Sequence, residues 1–197
     1  MTREEFVTIL YRIANPGVRP IANPNIQTFD DVAPGRWSFD AIEWAYARGL
    51  TEPGISLFRP AEPITRVEMA VMFVLLEGLE DMAENRFSDI DDHPALDYIL
   101  KAVEAGVFIG YPDGTFRPDN YATRHEVVAA TVRYLIGGSP TDAMIQGLEL
   151  EFSDITSAHW AFRYVVLAVH GYTALPLVPG TGNGNNNNNN GYENGNG

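Results

Sequence analysis

The chain has 197 residues, and its 26 acidic side chains outnumber its 13 basic ones, which gives a formal charge of −13. This balance excludes a broadly basic nucleic-acid binder and a basic helix of the kind that lies on membranes. Cysteine is absent, so disulfides, thiolate metal sites and cysteine nucleophiles are excluded as well. Because 45% of the residues are apolar, a wholly disordered chain is also excluded.

No targeting or membrane-spanning segment is predicted. Residues 1–15 have acids where a signal peptide has a basic region, and they contain no long apolar run. A continuous apolar stretch of about 18 residues, which would predict a transmembrane helix, is absent from the sequence. We therefore expect either a cytosolic protein or a part of an exported protein whose signal lies elsewhere.

Three short motifs recur in a fixed order, and successive copies lie 58 to 65 residues apart. They are Thr-Arg-x-Glu at 2–5, 65–68 and 123–126, Phe-x-Asp-Val/Ile at 29–32, 87–90 and 152–155, and Phe-Arg-Pro at 58–60 and 116–118. Three independent motifs at nearly one period indicate a tandem repeat.

A helical pattern follows each Phe-x-Asp motif, and a second helical pattern follows each Thr-Arg-x-Glu motif. Apolar residues at helical spacing predict first helices over 37–46, 96–103 and 160–168, which end before Gly49, Gly106 and Gly171. In the second helices, threonine is the expected N-cap, and the glutamates Glu5, Glu68 and Glu126 stand at the capping-box spacing. The apolar runs 69–79 and 127–136 predict helices that are buried on several sides.

We predict an all-α fold of helix-loop-helix repeats. The predicted divisions are a second half-repeat at 1–28, whole repeats at 29–86 and 87–151, a first half-repeat with an exit segment at 152–179, and a flexible tail at 180–197. The tail contains nine asparagines and six glycines, which cannot build a core. Since one helix pair cannot bury its apolar faces alone, we expect three compact lobes with residues 2–15 close to 158–171.

The motifs of residues 87–136 together resemble the S-layer homology family. They are Phe87-Ser88-Asp89-Ile90, the loop Gly110-Tyr111-Pro112-Asp113-Gly114-Thr115-Phe116-Arg117-Pro118, and Thr123-Arg124-His125-Glu126. The resemblance extends over roughly residues 2–172. It implies a pseudo-threefold trefoil and a non-catalytic, extracellular module that anchors proteins to bacterial cell-wall polysaccharide. Such polysaccharides are often pyruvylated, and the grooves between repeats bind them.

The resemblance also implies candidate ligand-binding residues. A guanidinium at a helix start, next to free backbone N–H groups, suits the carboxylate of a pyruvate ketal, and an aromatic ring suits a sugar face. We expect the best groove to combine Arg124, Trp160 and the loop residues Gly110, Tyr111, Asp113, Gly114 and Thr115. A second groove would use Arg3 and Trp37.

The groove at Arg66 is expected to be the weakest. The loop after Gly49 lacks Tyr-Pro-Asp-Gly and adds Glu52, an unfavourable neighbour for an anion. In the following repeat, Pro94 or Ala95 takes the position of the tryptophan.

Other interpretations of these residues stay open. The three arginines could instead pair with acids of this acidic chain, and the two tryptophans could be core residues. Tyr111-Pro112-Asp113-Gly114 has the composition of a turn, whatever else it does. The four histidines show no repeated metal-ligand spacing, so no metal or cofactor is predicted.

An enzyme is not predicted, because the sequence lacks a P-loop, a dinucleotide fingerprint and a Gly-x-Ser-x-Gly motif. The expected partner is a bacterial cell-wall glycan, with neighbouring surface-protein domains as further candidates. Nucleic acid and membrane insertion are not expected. The alternative function is a structural protein–protein interaction module of a surface assembly that binds no glycan.

Overall fold

The computed structural model describes residues 1–19, 23, 25–148, 152 and 154–170. Within these ranges the chain forms seven α-helices and no sheet, which confirms the predicted all-α fold. The helices are α1 (Arg3–Ala14), α2 (Phe39–Ala47), α3 (Arg66–Glu77), α4 (Leu96–Glu104), α5 (Arg124–Ile136), α6 (Asp142–Ile145) and α7 (Phe162–His170). The sequence did not predict the short helix α6. The predicted tail at 180–197, the exit segment and the helix end at Gly171 lie outside the described residues.

Helices α1, α3 and α5 begin in the same way. Each N-cap threonine accepts a hydrogen bond of 3.3 Å from the backbone N–H of the glutamate three residues later. That glutamate accepts a hydrogen bond from the N–H of the threonine in return. The predicted capping boxes are confirmed at all three helices. They satisfy N–H groups of the first turn, which lack partners within the helix.

The helices pack in pairs that are displaced by half a repeat from the sequence unit. Helix α1 packs on α2, α3 on α4 and α5 on α7. A Thr-Arg-x-Glu helix therefore packs on the Phe-x-Asp helix of the next unit. Close packing of α1 against α7 is not among the principal contacts of the described helices. The predicted proximity of residues 2–15 to 158–171, and with it the trefoil, is not confirmed.

One hydrophobic core runs through the first five helices, and a smaller one lies between α5 and α7. Phenylalanines of the repeat motifs fill the main core, where Phe29, Phe58 and Phe116 are fully buried. Phe6 of α1 and Phe73 of α3 meet edge to face with ring centroids 5.6 Å apart. The core therefore crosses the boundaries between the sequence repeats.

The aspartate of each whole Phe-x-Asp motif holds the Phe-Arg-Pro segment of the same repeat. The carboxylate of Asp31 accepts backbone N–H bonds from Phe58 and Arg59 at 2.8 and 2.7 Å. Arg59 has a φ of 59°, a left-handed conformation that is uncommon for a residue with a side chain. Asp89, Phe116 and Arg117 repeat this arrangement, with a φ of 58° at Arg117. These bonds explain why the two motifs occur together.

A buried arginine links each unit to the next. Arg3 donates from Nε to the backbone carbonyl of Phe58 at 2.8 Å and from Nη1 to the carboxylate of Glu68. The N–H groups of Arg3 and Glu4 donate to carbonyls of Glu62 and Pro60. Arg66 makes the corresponding bonds to Phe116 and Glu126, and the N–H groups of Arg66 and Val67 donate to carbonyls of Asn120 and Pro118. The backbone N–H groups that we expected to be free for a ligand are thus occupied at α1 and α3.

A polar cluster fixes the start of α2 on α1. The buried carboxylate of Glu4 accepts two hydrogen bonds from the guanidinium of Arg36, at 2.7 and 2.8 Å, and one of 2.5 Å from the hydroxyl of Ser38. The bonds from Arg36 and Ser38 outweigh the effect of burial and lower the pKa of Glu4 below its ordinary value. Glu4 is therefore a charged group that stabilises the first helix pair.

Replacement of Asp31 tests the link between the two motifs. Asp31→Ala leaves two backbone N–H groups without their acceptor, so we expect the free energy of unfolding to fall by about 1–3 kcal/mol in urea titrations. Asp30→Ala is the matched control. Asp30 is exposed, and the backbone N–H groups of Phe58 and Arg59 bond to Asp31 and not to the carboxylate of Asp30. We expect Asp30→Ala to change the free energy by less than about 0.5 kcal/mol. Equal effects of the two variants would contradict the assigned role.

Replacement of Glu4 tests the charged cluster through its pH dependence. Because the pKa of Glu4 is lowered in the folded state, the unfolded state binds its proton at higher pH, near the ordinary value of 4.5. The stabilisation is thus complete above that value and is lost as the pH falls through the lower folded pKa. We expect Glu4→Gln to cost about 1–3 kcal/mol at pH 7 and progressively less towards pH 3. Urea titrations across this range measure the difference, with the exposed Glu84→Gln as control. A cost that does not change with pH would contradict the prediction.

Candidate ligand-binding groove

A groove of about 700 Å³ lies between the start of α3, the loop and second helix of the second whole repeat, and the segment before α7. Its walls are formed by residues 108–112, by Arg117, Asn120, Tyr121 and Thr123, by His125, Glu126, Ala130 and Arg133 of α5, and by Arg66 and Trp160. This volume is within the range that is typical of small-molecule sites. It is large enough for a sugar residue.

Arg66 lies at the base of this groove, and its guanidinium is bound on two of its three nitrogens. Nε donates to the carbonyl of Phe116 at 2.8 Å, and Nη1 donates to Glu126 at 2.9 Å. Nη2 is buried and has no hydrogen-bond partner. The guanidinium carbon also lies 4.8 Å from the ring centres of Tyr111 and Phe116. Burial, above all, lowers the pKa of Arg66, and an arginine stays charged nonetheless.

Glu126 is the only carboxylate among the described residues that line the groove, and its oxygens are largely committed. One oxygen accepts from Arg66 and from the hydroxyl of Tyr111. The other accepts from the N–H and the hydroxyl of Thr123, both at 2.8 Å. Burial alone would raise the pKa of Glu126, but the bonds from Tyr111 and Thr123 and the charge of Arg66 bring it below its ordinary value. The carboxylate therefore remains charged and positions Arg66 and Tyr111.

Tyr111 and Pro112, the first half of the Tyr-Pro-Asp-Gly turn, form one rim of the groove. Asp113 accepts hydrogen bonds from the hydroxyl of Thr115 at 2.6 Å and from Arg117 at 2.6 Å, and these bonds lower its pKa to about 2. The guanidinium carbon of Arg117 lies 4.0 Å from the ring centre of Tyr111. Burial, followed by the hydrogen bond to Glu126, raises the pKa of Tyr111, so its hydroxyl stays protonated and can donate. The turn thus fixes the aromatic ring between charged groups.

Arg133 supplies a second buried guanidinium from the next turns of α5. It is 5% exposed, and its Nε donates to the hydroxyl of Tyr164 at 3.0 Å. Tyr164 in turn donates to Ser139 at 2.9 Å. Within the described part of the chain, Arg133 has no ion pair and its Nη groups have no hydrogen-bond partner. Because its Nη groups are not among the buried atoms that lack a partner, they are open to water or to an anion in the groove.

Exposed aromatic rings stand at the mouth of the groove. Trp160 is 55% exposed and Tyr121 is 65% exposed, although both are large aromatic side chains. Beside Trp160, the rings of His125 and His159 contact each other at a tilt of 43°, with centroids 4.7 Å apart. The interpretation of Trp160 as a core residue is therefore wrong, and the same holds for Trp37, which is 62% exposed.

The groove is locally positive in an acidic protein. Three arginines line it, against the single lining carboxylate of Glu126. Asp113 balances the charge of Arg117. Glu126 balances one of the two charges of Arg66 and Arg133, so the groove keeps an excess of positive charge. A low-dielectric cleft concentrates such a charge, so the groove is suited to a small anion.

Residues 28–70 and 86–128 match the S-layer homology domain. The chain carries two S-layer homology domains in tandem. The resemblance recognised from the three motifs is therefore confirmed.

Proteins similar to this chain are named for cell-surface functions and for enzymes. The chain is 33% identical over 148 residues to Cell surface glycoprotein 1 of Acetivibrio thermocellus, a match that covers 68% of the chain and 6% of that protein. It is 36% identical over 182 residues to Cellulosome-anchoring protein of the same organism, covering 87% and 39%. It is 33% identical over 138 residues to Amylopullulanase of Thermoanaerobacterium thermosulfurigenes, covering 66% and 7%. The chain spans less than half the length of each of these relatives.

In the described residues, every helix is too short or too polar to cross a membrane.

The structure brings together only part of the site predicted for these S-layer homology repeats. Gly110, Tyr111, Trp160 and Arg66 share the groove. The arginine that meets this loop is thus Arg66, from one repeat earlier than the expected Arg124, because its side chain crosses the unit boundary. The groove at Arg66, which the sequence ranked as the weakest, is the one that this loop and Trp160 complete.

The remaining predicted residues lie elsewhere. Arg124 is exposed at the start of α5 and does not line the groove. Asp113, Gly114 and Thr115 form the turn after Pro112 and are absent from the lining residues. Arg3 is buried and forms an ion pair with Glu68. This agrees with the alternative interpretation that the arginines pair with acids of the chain.

Sequence reasoning missed Arg133, Arg117 and Tyr121. Arg133 follows Glu126 by seven residues, so both lie on the same face of α5, and this spacing could have indicated it. The arginine of Phe-Arg-Pro gave no comparable signal. Only the left-handed backbone at Arg117 turns its side chain towards Tyr111.

Gly110 has a packing role that the sequence did not reveal. A Cβ atom at this position would lie 2.1 Å from a ring carbon of Phe87 and 2.9 Å from the carbonyl oxygen of Thr115. Phe87 is itself 5% exposed, so its ring has little room to move. Glycine is therefore required here by close approach, whether or not a ligand also contacts it.

Substitution of Gly110 tests this packing. We expect Gly110→Ala to destabilise the fold by about 1–3 kcal/mol, because the added methyl overpacks the site under the loop. Gly35→Ala is the matched control, since a Cβ atom at Gly35 meets nothing within 4 Å and its φ is not positive. Thermal unfolding of the two variants measures the difference. A neutral Gly110→Ala would show that the loop does not depend on this contact.

Proposed function

We propose that the chain is a non-catalytic, extracellular module that anchors a surface protein to the bacterial cell wall. It binds an acidic wall polysaccharide, and the groove at Arg66 takes a carboxylate-bearing sugar such as a pyruvate ketal. The single observation that carries this proposal is the buried Nη2 of Arg66, which has no hydrogen-bond partner among the described residues and belongs to a side chain that lines the groove together with Arg133.

A carboxylate suits this arrangement for chemical reasons. Guanidinium groups bind carboxylates through two parallel N–H bonds, and such charge-assisted bonds are stronger than neutral ones. The bonds to Phe116 and Glu126 fix the guanidinium of Arg66 in advance, so little conformational entropy is lost on binding. Arg133 is fixed in the same manner by Tyr164.

The rest of the sugar would be bound by the aromatic rim. The exposed rings of Trp160 and Tyr121 offer flat apolar surfaces next to the charged base of the groove. An anionic polymer is repelled by a chain of charge −13 as a whole, so binding is confined to this locally positive groove. Binding is accordingly expected to weaken with salt.

The family and the named relatives support the surface location. The chain is similar to Cell surface glycoprotein 1 and to Cellulosome-anchoring protein over 68% and 87% of its length. The match to Amylopullulanase covers only 7% of that protein. This small share is consistent with a separate module attached to the rest of that protein. No residue of the groove is assigned a catalytic role.

Sedimentation with purified wall sacculi tests the proposal. We expect the chain to sediment with untreated sacculi and to stay in solution after the acidic polysaccharide has been removed. Arg133→Ala and Trp160→Ala are each expected to weaken binding at least about tenfold, as the loss of one good charged or stacking contact does. Arg124→Ala is the control for loss of an arginine, because Arg124 lies outside the groove, and it should bind like the unmodified chain.

Each other result counts against the proposal in a specific way. Unchanged binding after removal of the polysaccharide would point to peptidoglycan. A chain that binds no sacculi would favour the protein–protein interaction module. Loss of binding in Arg124→Ala but not in Arg133→Ala would restore the site expected from the sequence.

A further inference from the structure

We propose that the two inter-repeat joints of the described chain, at Arg3 and at Arg66, are not equivalent, and that only the groove at Arg66 binds the acidic ligand; the corresponding surface at Arg3 is called the groove at Arg3 below. The residues at positions 133 and 160 decide this, together with their counterparts Leu75 and Pro94 in the groove at Arg3. The inference rests on the proposed function.

The two grooves share their base. Helices α3 and α5 begin 58 residues apart, so each residue of α3 has a counterpart in α5. Arg3 binds Phe58 and Glu68 just as Arg66 binds Phe116 and Glu126. The buried arginine is therefore common to both grooves and cannot distinguish them.

The first difference is the second cation. Leu75 stands in α3 where Arg133 stands in α5, and it is 37% exposed. Arg133 is 5% exposed, and the hydroxyl of Tyr164 fixes it. The groove at Arg3 therefore presents an apolar side chain at the position from which Arg133 would meet a carboxylate.

The second difference is the aromatic ring. Trp160 precedes the first residue of α7 by two positions, and Pro94 precedes the first residue of α4 by two. The backbone bonds that start the two helices correspond, from Phe162 to His159 and from Leu96 to His93, both at 2.9 Å. Pro94 thus takes the tryptophan position, which the sequence left open between Pro94 and Ala95. Proline offers no aromatic face for a sugar.

The third difference is charge. Glu62 in the first groove corresponds to Asn120 in the second and forms an ion pair of 3.6 Å with Arg59. Together with Glu68 it balances the charges of Arg3 and Arg59. In the second groove, Asp113 balances Arg117 and Glu126 balances Arg66, so the charge of Arg133 is left in excess. Only the second groove carries a positive charge that an anion can neutralise.

Reciprocal substitutions test the inference by titration calorimetry on the full chain. The probe is a methyl hexoside with a pyruvate ketal, and its control is the isopropylidene ketal, which has a methyl group in place of the carboxylate. Arg133→Leu gives the groove at Arg66 the leucine that its counterpart Leu75 provides in the groove at Arg3. We expect this variant to weaken binding of the pyruvate ketal at least tenfold. The weak binding of the neutral ketal should not change. Thermal unfolding verifies that the variant is folded.

The opposite changes are made in the first groove. Leu75→Glu places a repelling charge at an exposed helix position, and we expect it to leave affinity and stoichiometry unchanged. Leu75→Arg with Pro94→Trp should add one binding site for the pyruvate ketal.

A lower stoichiometry in Leu75→Glu would overturn the inference, because it would show that the first groove binds. Unchanged binding in Arg133→Leu, or no added site in the double variant, would overturn the assignment of these positions as decisive. A chain that binds the pyruvate ketal no better than the neutral ketal would instead overturn the proposed function.

Discussion

The structure depends on an arginine that crosses from the start of one helix into the next repeat. A buried guanidinium needs partners for its N–H groups, and Arg3 and Arg66 find them in a backbone carbonyl and a capping glutamate of the following unit. The same glutamate caps its own helix. Each unit therefore supplies the hydrogen-bond acceptors that the buried arginine of the previous unit needs. The repeats are accordingly expected to fold as one cooperative unit and not independently.

The ligand groove is a consequence of this joint. A guanidinium has three nitrogens, and the joint uses two of them at Arg66, so the third is left buried without a hydrogen-bond partner among the described residues. The loop closes the groove on one side and Trp160 on another. Because Arg66 serves both stability and the groove, its removal would confound the two roles. Arg133 also bonds across a unit boundary, to the hydroxyl of Tyr164, but it makes no bond to a capping glutamate, so its replacement leaves the joint at Arg66 in place.

The half-repeat offset between sequence and packing explains how the described chain is assembled. The chain contains two whole sequence units between two half units, which would leave unpaired halves if each unit packed on itself. Since α1 packs on α2, α3 on α4 and α5 on α7, the halves are instead completed as three helix pairs. The phenylalanine core follows the same offset and joins the first two pairs with α5.

The sequence by itself determined what local chemistry controls. The capping boxes, the glycine ends of α2 and α4, the helical class and the family follow from residues a few positions apart, whose interactions are set by helix geometry. The tertiary structure alone decided which arginine meets which loop. Long side chains such as Arg66 and Arg133 reach partners 50 and 31 residues away in the chain, and their direction depends on packing across the unit boundary. For that reason the sequence named the loop and Trp160 but paired them with Arg124, whereas the structure places Arg66 beside them.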